Sequence, residues 1–444
     1  MMILQSINKH FEQIKSGGII VFVKKVISSI YLILQIPIYL ISIPTVIIIR
    51  LVRPWFLIRW NVLNSGRIGH FAKNTELYCC ERDAKINSPS QRYIDLFYLK
   101  KYVCNKQLEK MWRRSGLIIL PRWLLHPLFR VNRFINIFVP GGIYHEVDYL
   151  CGALKGSVNS VLDVHNLLER FQPHINFSDD EERKGKRILN DFGIPEDAKF
   201  VCLLVRDSGY LDRHKESEHL ERWSYQSFRD GDIDKYVLAA EELARRGYYV
   251  FRMGGNVLKP LKSSNPKVID YANLKIRSDF MDIYLGAKCR FCISTYSGFD
   301  LICDIFRKPI AFTAFVPFAR LETHNKESLI LTKRHINKRN QKELTVSEIF
   351  SSNVALSWDT NEFKKNEVEL EENSPKKIKD LVIEMDERLN KRWKDTKEDL
   401  LLQKRFWSIY DKNIKKLNLK VPMYGKIKAQ FGAKFLRENQ NWIR

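Results

Sequence analysis

FCISTYSGFDLICDIFRKPIAF, residues 291–312, decides the reading of this chain. Phe291 to Ser294 reads as a buried strand, Thr295 to Gly298 as a small polar turn, and Phe299 to Phe306 as a helix. A proline break follows, and a second apolar strand opens at Ile310. A strand that runs through a Ser/Thr/Gly turn into a helix aims backbone N–H groups and the positive end of a helix dipole at one point. That is a seat for a phosphate.

The same alternation extends upstream. Phe200 to Val205 is a near-continuous apolar run ending at Arg206, as expected of a strand covered on both faces of a parallel sheet. Ile233, Tyr236, Val237, Ala240, Leu243 and Ala244 recur with a 3.6-residue period, with Asp230 or Asp232 to cap the helix and Gly247 to stop it. Tyr248 to Arg252 is a further strand, ending at Met253-Gly254-Gly255. A short strand at Val268-Ile269 precedes a helix over Phe280 to Ala287, capped by Ser278 or Asp279. Strands alternating with helices predict a doubly wound α/β sheet, with ligands at the carboxyl ends of its strands. The turns after Val205, Arg252 and Ser294 lie at that end.

Earlier in the chain, residues 64–70 (NSGRIGH) read as a glycine-bearing turn, followed by a strand-like Glu76 to Cys80. Two glycines there let backbone approach a ligand closely. Beyond Ser347 the chain becomes charged and helical. Ser374-Pro375 is a cap-then-proline start, Lys376 to Lys412 resembles an exposed helix, and the half-apolar tail from Tyr424 reads as docking on the body.

With 444 residues, two domains plus appendages are expected, and 45% hydrophobic residues exclude a disordered chain. Eight scattered cysteines, with Cys289 and Cys292 the one CxxC spacing, point to a reducing compartment rather than a zinc site. The net charge of +23 calls for an anionic partner. No zinc-finger spacing or RNA-binding aromatic signature accompanies it, so nucleic acid is set aside in favour of an anionic membrane surface. Val26 to Ile49 carry no charge and are long enough to cross a hydrocarbon core. Pro37 and Pro44 kink that segment, so a helix that spans competes with one that only dips, and with a buried helix pair.

Ser294, Thr295, Ser297 and Gly298 supply hydroxyls and amides for a diphosphate; a purely structural turn would use the same residues. The fork of Arg206 can neutralise a leaving phosphate, or pair with Asp207 or Asp279. Gly254 and Gly255 stand where a sugar or base would pack, or serve as plain turn glycines. Asp232-Ile-Asp234 spells the DxD of cation-binding transferases, but at a helix start acids cap. His70, with Glu76 or Asp83, is a candidate for the base that deprotonates an acceptor hydroxyl.

Together these stretches resemble a family of bacterial glycosyltransferases linked to surface polysaccharide synthesis. The similarity runs through residues 202–211 (CLLVRDSGYL), 228–236 (FRDGDIDKY), 247–254 (GYYVFRMG), 269–272 (IDYA), 278–288 (SDFMDIYLGAK) and 293–318, and extends to 66–70 and to the tail at 425–442. The resemblance implies a GT-B-like α/β architecture of two Rossmann-like domains, with an N-terminal membrane segment and a helical C-terminal tail. Residues 1–60 would anchor, 61–193 form the acceptor-side domain, 194–350 the donor-nucleotide domain, and 351–444 a tail packing back. Gly66, Arg67 and Gly69 would line the acceptor side. The donor would be a nucleotide-diphosphate sugar, the acceptor lipid-linked or a polysaccharide such as lipopolysaccharide, O-antigen or capsule. No metal or other cofactor would be needed, and the enzyme would work on the cytoplasmic face of the inner membrane. Where the family carries a histidine–glycine pair in the tail, this chain has Tyr424-Gly425, so no tail residue receives a catalytic role. A non-catalytic assembly protein keeping the fold, and a pyruvyl or phosphoryl transferase, are the competing readings.

Overall fold

In the computed structural model, residues 19, 23, 26, 35–86, 88–147, 162–209, 220–274, 277–322, 325–419 and 425–444 are described. Part of the apolar segment expected from Val26, together with Cys151 and Tyr424, falls outside them. The chain forms two compact units. One comprises residues 1–62, 89–99 and 117–147, and the other residues 63–88, 100–116 and 148–444. The stretch 61–193, expected as one domain, is thus divided between the two.

The first unit holds a three-stranded sheet in the order β1 (Leu57–Leu63), β2 (Tyr93–Leu99), β3 (Ile118–Ile119), with β2 and β3 parallel. The helix Gln35–Val52 is long and apolar enough to cross a membrane. One stripe of it, Tyr39, Val46 and Ile49, packs with Trp60, Tyr98, Leu125 and Phe129 in this unit's apolar core. Its outer face is exposed. Arg50 fastens the helix end, donating to Asn132 Oδ1 (3.0 Å), Asn132 O (2.8 Å) and Val139 O (2.9 Å) around the helix Arg122–Phe138. Those bonds hold the two helices together at a fixed point.

The second unit is built on seven strands in the order β12-β9-β8-β7-β4-β5-β6, every adjacent pair parallel. β4 is Phe200–Leu204, β5 Tyr249–Arg252, β6 Val268–Ile269, β7 Cys292–Ser294, β8 Ile310–Phe315, β9 Leu329–Thr332 and β12 Gln430–Phe431. A short antiparallel pair, β10 (Arg334–Asn337) with β11 (Val368–Glu371), stands beside it. β4 and β7 are wholly buried, as their unbroken apolar sequences require. The chain winds from β4 outward through β5 to β6, then returns to the other side of β4 with β7 and winds outward through β8 to β9. The strand order therefore reverses between β4 and β7, which is the switch point where open α/β sheets bind ligands. No second doubly wound sheet is present among the described residues.

Local signals set the helix starts. Ser278 Oγ accepts from Met281 N–H ahead of the helix Asp279–Lys288, and Ser374 Oγ from Lys377 N–H ahead of Pro375–Leu389. Two expectations fail. Glu76 to Cys80 is not a strand but the middle of the helix Ile68–Asp83, which is buried nearly all round. The stretch from Lys376 is not one exposed helix but two, Pro375–Leu389 and Lys397–Lys416, with buried apolar faces. The tail then adds β12 to the sheet edge and sinks Phe431 and Trp442 against Phe406.

Candidate functional site

The site lies at the carboxyl ends of β4 and β7, within the second unit. Leaving β4, Arg206 donates its backbone N–H to Thr295 Oγ1 (2.9 Å), the first side chain beyond β7. A loop folds over this junction: Gly231 N–H donates to Arg206 O (2.8 Å), and a Cβ on Gly231 would stand 3.0 Å from Val205 Cγ1 and 3.3 Å from Thr295 Cγ2. That loop brings Arg229 and Asp230 to the switch point.

Arg206 is buried and donates to Gln226 O (3.0 Å) and to the Asp230 carboxylate. Its partner is Asp230, not the Asp207 or Asp279 considered from sequence. Burial pulls both members toward neutrality, lowering the arginine and raising the aspartate, while their mutual attraction works against it. Lys333 reaches the same loop from the end of β9, donating to Phe228 O (3.0 Å) and Asp230 O (2.6 Å); burial brings its pKa down to about 8.

Arg229 donates to Tyr296 O (2.5 Å), with its guanidinium carbon 5.4 Å from the Tyr296 ring and 5.1 Å from the Trp358 ring. Arg320 lies against the other arginine's ring partner, 5.0 Å from the Trp358 centroid. Burial lowers both, Arg229 to about 10 with the nearby Arg206 adding to the effect. The Nε groups of Arg229 and Arg320 are buried and have no hydrogen-bond partner among the described residues. Buried donors on two cations, left unbonded, are costly unless an anion completes them.

The Ser294 and Thr295 side chains are fully buried and their hydroxyls are used internally: Ser294 Oγ donates to Asp300 Oδ2 (2.6 Å), and Thr295 Oγ1 serves Arg206 N–H. Asp300 also takes Ser297 N–H (2.8 Å), so the start of the short helix Asp300–Ile305 is filled by the chain's own carboxylate. Burial raises that carboxyl to about 6. Both hydroxyls are thus engaged within the chain, as a purely structural turn would have them, while Ser297 and Gly298 are half-buried.

Gly66 ends a buried turn, Arg67 is the N-cap residue of the helix Ile68–Asp83, and Gly69 and His70 lie inside that helix. A Cβ on Gly69 would meet Gly298 O and Leu301 Cδ1, each at 2.8 Å. The glycine expected on a separate acceptor side thus packs directly on the turn after β7. It serves close packing of a helix against that turn.

His70 is half-buried; its Nδ1 is buried and without a partner among the described residues. Burial pushes the ring pKa to about 4, with Arg67, Lys100 and Arg229 adding to the effect. The ring is therefore neutral near pH 7, and the same shift makes it a weaker base than an ordinary imidazole. The other two base candidates are occupied: Glu76, fully buried, pairs with Arg307 (2.6 Å) and His174 (3.1 Å), and Asp83 with His174 (2.9 Å) and Arg82 (2.9 Å).

Gly254 and Gly255 lie at the carboxyl end of β5, one strand from the switch point. A Cβ on Gly254 would stand 2.6 Å from Val257 Cγ1. Asp232 accepts from Asp234 N–H (3.2 Å) as a cap, and Lys259 pairs with both aspartates. Arg229, Arg320 and Trp358 were missed from sequence. The one available signal was the Phe228-Arg-Asp-Gly231 stretch ahead of the helix, which reads as a connection until the loop is seen to fold over β4.

No protein-family model matches the chain, and no curated protein does. Among solved structures the chain is similar to the ADP-heptose LPS heptosyltransferase II of E. coli, at 14% identity over 57% of this chain and 84% of that one, with a TM-score of 0.33. It is similar to a family 9 glycosyl transferase from Veillonella parvula at 10% identity over 58% and 79%, TM-score 0.33. It is also similar to S. aureus MnaA, solved with UDP, at 11% identity over 76% and 97%, TM-score 0.24.

Proposed function

We propose that this chain is a GT-B-type glycosyltransferase that moves a sugar from a nucleotide-diphosphate sugar to a lipid-linked or polysaccharide acceptor in bacterial surface polysaccharide synthesis. It would work attached to the membrane through its N-terminal helix, on the cytoplasmic face. The observation that carries the reading is the convergence of Arg206, Arg229, Arg320 and Lys333 at a sheet switch point, with two buried guanidinium donors unpaired. A diphosphate supplies the charge and acceptors such a cluster lacks.

In this reading the acceptor hydroxyl oxygen attacks the anomeric carbon while the bond from that carbon to the diphosphate oxygen breaks. The electron pair leaves on the diphosphate, where Arg206 and Arg229 stabilise it. The hydroxyl proton passes to His70, held neutral by its surroundings. Ser297, Gly298, Gly254 and Gly255 would contact the donor through backbone, and Arg67 the acceptor. No metal or cofactor takes part in the proposed step.

One observation favours the alternative of a non-catalytic assembly protein that keeps the fold: Ser294 Oγ is engaged by Asp300 Oδ2 and Tyr296 N–H, and Thr295 Oγ1 by the Arg206 N–H, without a ligand. Thermal unfolding of the full chain with a panel of nucleotide sugars and nucleoside diphosphates separates the two. Stabilisation by one base series, lost in Arg206→Ala, supports the transferase. An unmoved Tm with every member supports the assembly protein.

A further inference from the structure

The helix Arg122–Phe138 presents an apolar face to solvent. Phe134, Ile137 and Phe138 are 62%, 73% and 71% exposed and fall at the i, i+3, i+4 spacing of one helical face. Trp123, about three turns earlier, shares that face and is 59% exposed. The turn that follows continues it with exposed Val139, Ile143 and Tyr144. Scattered exposed apolar residues are ordinary, but a run of large ones on one helix and its exit turn marks a surface with a partner.

Charge identifies the partner. This helix carries Arg122, Arg130 and Arg133 and no carboxylate of its own, although Arg133 is paired with Glu146 beyond the exit turn (2.8 Å), and Arg53 lies 3.6 Å over the Tyr144 ring at the end of the patch. An apolar stripe holding Trp and Phe, flanked by arginines, has the make-up of an element lying in a membrane interface, where the arginine stems reach toward headgroups. Continuity points the same way. The Arg50 bonds to Asn132 and Val139 tie this helix to Gln35–Val52, whose Leu40, Ile41, Ile48 and Leu51 are themselves exposed. With one stripe of Gln35–Val52 packed in the first unit's core, that helix cannot enter a bilayer without bringing Arg122–Phe138 to the same surface.

We infer that Arg122–Phe138 and its exit turn form a second membrane-inserting element, which seats the first unit in an anionic bilayer interface together with Gln35–Val52. The inference rests on the membrane attachment proposed above and extends it to a segment that hydropathy along the chain does not single out. The occupant is the lipid surface itself.

The test is flotation of the full chain with phosphatidylcholine vesicles, with and without phosphatidylglycerol. The expected result is binding that grows with phosphatidylglycerol and weakens about ten-fold or more in the triple variant Phe134→Glu/Ile137→Glu/Phe138→Glu. Leu400→Glu/Leu401→Glu, exposed apolar residues in the second unit, should leave binding unchanged. An unaltered Tm in the triple variant shows that the fold is kept. A chain that binds vesicles equally well with and without the triple change overturns this inference and leaves the attachment by Gln35–Val52 standing. A chain that binds no vesicles overturns both. A concentration-dependent dimer abolished by the triple change, with vesicle binding intact, assigns the face to a second copy and also overturns it.

Discussion

The backbone N–H of Arg206 and the hydroxyl of Thr295 meet at 2.9 Å across the ends of two neighbouring parallel strands, β4 and β7. This bond holds the two halves of the doubly wound sheet in register at their point of reversal. It also fixes the direction in which the Arg206 side chain leaves the strand. Thr295→Val keeps the side-chain shape and removes the acceptor, leaving a buried N–H unpaired. A loss of about 1–3 kcal/mol in urea unfolding is expected. Thr295→Ser retains the hydroxyl and should recover most of it; a loss in Thr295→Ser with none in Thr295→Val would show that the methyl, not the bond, matters.

Arg229 combines charge with a planar group set against both Tyr296 and Trp358. Arg229→Lys keeps the charge but neither the stacking nor the fork geometry. Transfer should fall about 10²-fold, on the scale of losing one charge-stabilising donor. Nucleotide-induced stabilisation should fall with it. Steady-state kinetics on the donor identified by the nucleotide panel supply the check, and wild-type kcat/KM in the lysine variant would remove Arg229 from the site.

Gly69 and Gly298 face each other and should respond oppositely to an added methyl. At Gly69 the methyl would stand 2.8 Å from a backbone oxygen, whereas at Gly298 the nearest atom is 3.6 Å away. Gly69→Ala is expected to cost about 1–3 kcal/mol by forcing the helix off the turn, and Gly298→Ala to stay within about 0.5 kcal/mol. Parallel thermal melts of the two variants decide it.

His335 is buried, with Nδ1 bonded to Lys333 O (2.9 Å), and burial pushes its pKa to about 4. Its folded pKa is below the unfolded value, so the unfolded state binds the extra proton as pH falls. Stability from this group is present above pH ~6.5 and is lost progressively toward pH 4, by up to ~3 kcal/mol. Buried carboxyls such as Asp300 and Glu384, raised to about 6, act in the opposite sense. The group is therefore read by difference: the urea midpoint of His335→Phe should fall less steeply between pH 7 and pH 5 than that of the wild type.

Much of the sheet was legible because buried parallel strands print short apolar runs at the positions they occupy. Phe200 and Val268 each open a strand where the sequence places one, and Tyr249 opens one a single residue past the expected Tyr248. Caps such as Asp232, Ser278 and Ser374 were legible because a cap bonds within three residues of itself. The helix Ile68–Asp83 was not legible. Its polar members are buried, so it has no solvent face to give a period. Lys73 is held charged by Asp304 and Glu322 against its burial, and Glu76 is ion-paired with Arg307; those partners lie more than two hundred residues away in the chain.

At the site the division is equally physical. Residue order alone determined that a strand, a polar turn and a helix follow one another at 291–306, and that an arginine ends the strand at Phe200–Leu204, since both depend on neighbours in the chain. Whether a hydroxyl is free or spent depends on what the fold brings to it. Asp300 and the Arg206 amide consumed Ser294 and Thr295, while a loop from Gln226 to Gly231 delivered Arg229. Tertiary packing decided which groups remain unpaired, because hydrogen bonding at a sheet's switch point is settled between segments distant in sequence.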